Sequence, residues 1–304
     1  MAVLFMLIVI GYIAGKAKML SSEGIKNLSR VVINISTPST ILYSVLSDTG
    51  DITGSKSLYF FLMILLLYVL IFAIALPIGR LLGTRESKDK LDPGNSNRGL
   101  YCFMLIFGNV GFMGFPISQA IFGVQSMYYA SLVNIVFNML AYSIGIILIS
   151  GKSGNINLKL LLNATFFAAI ISSVFIFTGL QMPAIITETV RLATGINTPC
   201  AMLVIGATLS QVSLKDVFFK WRLYPMAFVK MVFIPVIVWF IFKQFVTDEL
   251  LLGVLVILSG MPVAAAAAML SIEYGGDERI ASGSVFLTTL LSVATVPLIV
   301  YLLL

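Results

Sequence analysis

The stretch FGNVGFMGFP, Phe107 to Pro116, sets three glycines, an asparagine and a proline inside a run that is otherwise apolar enough to cross a membrane. Glycine weakens a helix, and an internal proline removes an amide donor and clashes with the carbonyl four residues earlier. The stretch therefore predicts a broken helix. A backbone group freed in hydrocarbon costs several kcal/mol unless protein or a water-filled cavity satisfies it, so the break belongs in the protein interior.

The rest of the chain supplies the membrane. Of 304 residues 59% are hydrophobic and 11% charged, with a mean hydropathy of +1.05, whereas soluble domains carry about a quarter charged residues. This balance marks an all-α polytopic membrane protein. Ten spans are predicted: Ala2 to Gly15, Val31 to Leu46, Phe60 to Leu82, Leu100 to Phe122, Tyr128 to Ile149, Leu160 to Leu180, Leu192 to Leu209, Leu223 to Phe245, Leu250 to Ile272 and Ile280 to Leu304. The first has no basic leader and does not read as a cleaved signal peptide.

Loops after odd-numbered spans hold fifteen of the nineteen Lys and Arg residues, while the other loops hold only Lys56, Arg191 and Lys243. The positive-inside rule puts the first set in the cytoplasm and both termini outside. The net charge of +6 thus serves topology in a membrane, and no nucleic-acid partner is predicted. Cys102 and Cys200 fall within spans, where they read as small apolar residues. The absence of histidine removes the commonest metal ligand and histidine proton relays.

A repeat is visible inside the chain. RVVINISTPSTILYSVLS from Arg30 and RLATGINTPCAMLVIGATLS from Arg191 align without a gap at a shift of 161, matching Arg30, Thr37, Pro38 and Leu42 to Arg191, Thr198, Pro199 and Leu203. Gly114, Phe115, Pro116 and Ile117 align with Gly260, Met261, Pro262 and Val263 at a shift of 146. The difference falls in the loop Thr84 to Arg98. Five spans per half is an odd number, so residues 1–150 and 151–304 are expected to be two inverted five-helix repeats.

Two interrupted helices at corresponding places in inverted halves point to a transporter binding site. Half-helix N-termini suit an anion and unwound carbonyls suit a cation such as sodium; both readings are open. The candidate site residues are Gly108, Asn109, Gly111, Gly114, Pro116, Gly260, Pro262 and Val263, with Asn134 and Asn138 on one face of the fifth span. Each asparagine fits substrate contact and also interhelical hydrogen bonding. Lys230, inside the eighth span, fits a functional role and also a stem that snorkels to the interface. Glu188 and Glu273 lie near span ends and read as solvated or paired. With no Asp or Glu at mid-span, a carboxylate proton relay is not expected.

Three segments, GYIAGKAKMLSSEGIKNLSRVVINISTPSTI from Gly11, GNVGFMGFP from Gly108 and GMPVAAAAAMLSIEYGGD from Gly260, resemble the auxin efflux carrier family, the PIN-like transporters, in its shorter bacterial form. The resemblance covers nearly the whole chain. It implies the ten-helix inverted-repeat fold shared with bile acid sodium symporters, with broken helices 4 and 9 crossing at the substrate. Helices 1, 2, 6 and 7 would form a scaffold, and helices 3 to 5 and 8 to 10 a transport domain in elevator movement. Asn109 matches the asparagine of the family's first crossover, and Glu273 with Tyr274 matches an acidic and aromatic pair. The chain departs from the family after Pro262, where relatives carry a polar residue and this sequence reads Val263 and then Ala264 to Ala268.

The function implied is secondary active or facilitative transport of a small organic anion, such as a dicarboxylate or an auxin-like acid. A homodimer through the scaffold helices is the family expectation, with membrane lipids as the other partners. The shared fold also allows a sodium-coupled carrier of bile-acid-like or sterol-like acids, and the same pocket suits a membrane sensor that binds without transporting. No cofactor is predicted, and sodium and proton are both open as coupling ions. Without histidine, paired buried carboxylates or a nucleophile–base set, an enzyme is not expected.

Overall fold

A computed structural model describes residues 2–46, 53–83, 97–151, 164–180, 182–211 and 220–304. Most of the predicted loop Thr84 to Arg98 lies outside them, as does the side chain of Glu273. Among the described residues every regular element is helical, and the one β-type feature is a single antiparallel pair, Gly108 with Val263.

In chain order the helices are α1 (Ala2–Lys16), α2 (Ser22–Val31 and Thr37–Leu46, joined by the π-helical turn Val32–Ser36) and α3 (Gly54–Leu82). Then come α4 (Arg98–Ile106), α5 (Val110–Phe122), α6 (Ser126–Ser150), α7 (Ala164–Thr178) and α8 (Ala184–Leu209). The last four are α9 (Leu223–Phe242), α10 (Glu249–Ser259), α11 (Ala266–Tyr274) and α12 (Glu278–Leu303). By length and composition α3, α6, α8, α9 and α12 are able to cross a membrane. The fourth and ninth predicted spans are each divided in two, α4 with α5 and α10 with α11, so neither gives one uninterrupted helix of spanning length.

The surface agrees with a lipid solvent. On α1, Val3, Met6, Ile10 and Ile13 are exposed at helical spacing while Leu4 and Ile8 are buried. Such an apolar outer stripe would be a liability in water and is the expected face toward hydrocarbon.

Three helices widen in the same way ahead of a proline. The π-helical turns Val32–Ser36, Val110–Gly114 and Val229–Phe233 each end two residues before Pro38, Pro116 and Pro235. Proline lacks an amide hydrogen and crowds the carbonyl four residues back; opening the turn to bonds spanning five residues relieves that contact. Accordingly Thr37 N donates to Val32 O and Ile234 N to Val229 O.

The chain forms two compact units. The first comprises Met1–Ile64, Val110–Ile135 and Leu161–Gln211, and the second Leu65–Asn109, Val136–Leu160 and Val212–Leu304. In the first, α1 and α8 touch backbone to backbone: a Cβ on Gly206 would lie 2.0 Å from Ile8 O, and one on Gly11 would lie 2.4 Å from Leu203 O. Small residues allow this approach, which is how membrane helices gain packing without a hydrophobic drive between them. Also in this unit, Ser36 Oγ donates to Ala193 O at 2.8 Å and Thr37 Oγ1 to Asn197 Oδ1 at 2.9 Å.

The second unit is built around Phe107, which is fully buried and surrounded by Phe72, Phe103 and Phe137, with ring centroids 6.3, 4.7 and 5.7 Å away. Aromatic pairs at such separations add about 0.5–1.5 kcal/mol each beyond area burial. They hold the chain where α4 ends.

Gly206→Val should lower the unfolding temperature in detergent sharply, because overpacking against backbone costs about 1–3 kcal/mol or more. Gly24→Ala, where a Cβ would meet only Ser21 Oγ at 3.4 Å, should be near neutral in the same thermal scan.

Candidate functional site: the crossing of two broken helices

Within the second unit, residues 107–109 and 261–264 leave their helices and run past each other, paired antiparallel at Gly108 and Val263. Asn109 N donates to Pro262 O at 2.7 Å and Ala264 N to Phe107 O at 3.1 Å, the two bonds that flank the Gly108–Val263 pair. Val263 N turns outward and donates to Thr288 Oγ1 on α12 at 3.0 Å. On the other side Lys230 Nζ donates to Ile106 O, the end of α4, at 3.3 Å. Every one of these contacts satisfies a backbone group that the breaks would otherwise leave bare.

Space at the crossing is tight. A Cβ on Gly108 would sit 3.0 Å from Met261 O, 3.2 Å from Met261 Cβ and 3.3 Å from Lys230 Nζ. Gly260 packs against Pro235, 3.0 Å from where its Cβ would be. Pro262 and Val263 are buried, and Pro262 stands in the extended segment where a missing amide costs no helical bond.

Asn109 is half-buried, and its side-chain amide has no hydrogen-bond partner among the described residues. Lys230, 1% exposed, sits in the widened turn of α9. Asn138 is half-buried on α6. The remaining predicted site residues, Gly111, Gly114, Pro116 and Asn134, belong to the first unit, where Gly111 faces Asn134: a Cβ there would lie 3.6 Å from Asn134 Nδ2, an ordinary contact.

The predicted break is present but its cause is displaced. Pro116 does not interrupt the fourth span; it stands in the first turn of the regular helix Phe115–Phe122, after the π-helical turn. The interruption is at Phe107 to Asn109, where Phe107 has φ −99° and ψ 103°. Gly114 to Ile117 therefore does not occupy the place of Gly260 to Val263, because the residue that pairs with Val263 is Gly108.

Sequence reading missed Thr288 and its neighbours. Ser284, Thr288 and Ser292 are all fully buried on α12, spaced by four so that they share one face. Ser284 Oγ donates to Ala281 O at 2.7 Å and Thr288 Oγ1 to Ser284 O at 2.7 Å. A polar stripe of period four inside an apolar span was the available signal.

A sequence profile of the family described as membrane transport protein matches residues 1–159 and 153–300. An uncharacterized transporter of Methanocaldococcus jannaschii is 26% identical over 306 residues, covering 97% of this chain and 95% of its own. An uncharacterized transporter of Methanothermobacter thermautotrophicus is 29% identical over 303 residues, covering 96% and 93%.

Thr288→Val, nearly isosteric, leaves Val263 N without its acceptor and should lower stability by about 1–3 kcal/mol, the cost of a buried unsatisfied amide. Thr288→Ser keeps the oxygen and should recover most of the loss in thermal unfolding.

Proposed function

The chain belongs to the membrane transport protein family, the auxin efflux carriers, and from that membership we propose that it carries a small organic anion, a carboxylate, across the membrane by secondary active or facilitative transport. The observation that carries the reading is the crossing itself. Two extended segments inside apolar spans are held by reciprocal backbone bonds, and beside them Asn109 presents an amide with no partner among the described residues. That amide has two N–H donors for a carboxylate.

The ten-span inverted repeat is part of the same proposal. It is supported by the contacts of Ser36 with Ala193 and of Thr37 with Asn197. Thr37 and Asn197 are one residue from equivalence at the shift of 161, and near-equivalent positions meet close to the axis of a two-fold repeat. Spans 1, 2, 6 and 7 act as the scaffold and spans 3 to 5 and 8 to 10 as the moving part of an elevator, with dimerisation through the scaffold. Both termini face outward from the cytoplasmic membrane, on the strength of the basic-residue bias.

Purified protein in liposomes should take up a labelled carboxylate from a panel of mono- and dicarboxylic acids with saturation. Asn109→Ala should reduce uptake about 10- to 100-fold at sub-saturating substrate, the equivalent of a hydrogen bond to a charged group. Absence of saturable flux for every acid in the panel would overturn the reading.

A further inference from the structure

Lys230 is the least expected residue at the crossing. Its ammonium is buried inside an apolar unit, yet among the described residues no carboxylate lies within ion-pair reach, and its one hydrogen bond is to Ile106 O at 3.3 Å. An ammonium has three donors, and an isolated charge in a medium of this kind is strongly penalised unless something negative compensates it.

The compensating charge is in the backbone. α4 ends at Ile106 and α10 at Ser259, each just before the chain leaves its helix. A helix C-terminus carries roughly half a negative charge on its unpaired carbonyls. Lys230 Nζ contacts the last carbonyl of α4, close to Gly108. The widened turn Val229–Phe233, imposed by Pro235, is the part of α9 from which the side chain reaches that carbonyl.

Carbonyl ends of broken helices are what a dissolved alkali cation binds in membrane transporters of this kind of architecture. We propose that Lys230 is a tethered cation of the crossing: its ammonium stands at the carbonyl end of α4 where a sodium ion would otherwise bind, so the folded protein needs no exchangeable cation there. This deepens the transport reading by fixing the cation of the site. Its test needs no substrate, so failure of carboxylate flux and failure of the tethered cation are separate results.

The test is thermal unfolding of the purified full-length protein in detergent, in sodium chloride and in choline chloride at equal ionic strength. Wild type should unfold at the same temperature in both salts; a sodium-specific rise of several degrees would overturn the proposal. Lys230→Ala should unfold earlier in choline chloride and regain stability when ethylammonium is added, with tetramethylammonium ineffective because it has no N–H donor. Failure of ethylammonium to rescue Lys230→Ala, or a Lys230→Met variant as stable as wild type without any added cation, would also overturn it. Should neither variant fold, the wild-type salt comparison decides alone.

Discussion

Backbone that leaves a helix inside an apolar span must find its hydrogen bonds within the protein, because lipid offers none. Residues 107–109 and 261–264 meet that constraint by bonding to each other, Asn109 N to Pro262 O and Ala264 N to Phe107 O. The solution is demanding. It needs both segments extended and antiparallel, a residue at 108 with no side chain to strike Met261, and a fixed point on each side. Phe107 supplies one fixed point through its aromatic neighbours, and Thr288 the other by accepting from Val263 N. Lys230, the tight Gly260–Pro235 contact and the polar face of α12 all follow from the need to close this one pair.

Proline acts at a distance from the breaks. Pro38, Pro116 and Pro235 each stand after a widened turn in a helix that carries on past them. The lost amide bond is thereby absorbed over five residues instead of ending the helix. Pro262 is different, because it lies in extended chain where its fixed φ fits and its missing donor is not required. The same residue type thus widens three helices and occupies a true interruption in a fourth.

Much of the fold was legible because it is periodic and local. The apolar run of α6 was read as Tyr128 to Ile149 and is Ser126–Ser150; α1 was read to within a residue of its end. α3 begins six residues before the predicted Phe60, since its first turn is polar and Thr53 Oγ1 accepts from Lys56 N in place of an apolar start signal. The crossing was legible only as a place. Which glycine pairs with which partner depends on chain segments more than 150 residues apart, joined by a single residue pair that leaves no period in either sequence. Matching Pro116 to Pro262 was the natural local choice, and it misplaced the first break, because a proline after a widened turn and a proline outside a helix look alike in sequence.

The alanine run Ala264 to Ala268 takes on a different meaning in this frame. Lacking polar side chains, the second arm was expected to offer backbone groups alone, yet Val263 N is engaged by Thr288 and Ala264 N by Phe107 O. Ala267 N and Ala268 N are likewise bonded, to Ala264 O and Ala265 O. Those amides serve the fold, and small side chains there leave room for the two segments to approach. On the first arm Asn109 keeps its side chain uncommitted among the described residues, and opposite the end of α4 stands the ammonium of Lys230. The polar chemistry of the crossing is therefore lopsided: one arm closes the structure, while the other, with α9, holds the amide and the charge that an anion would meet.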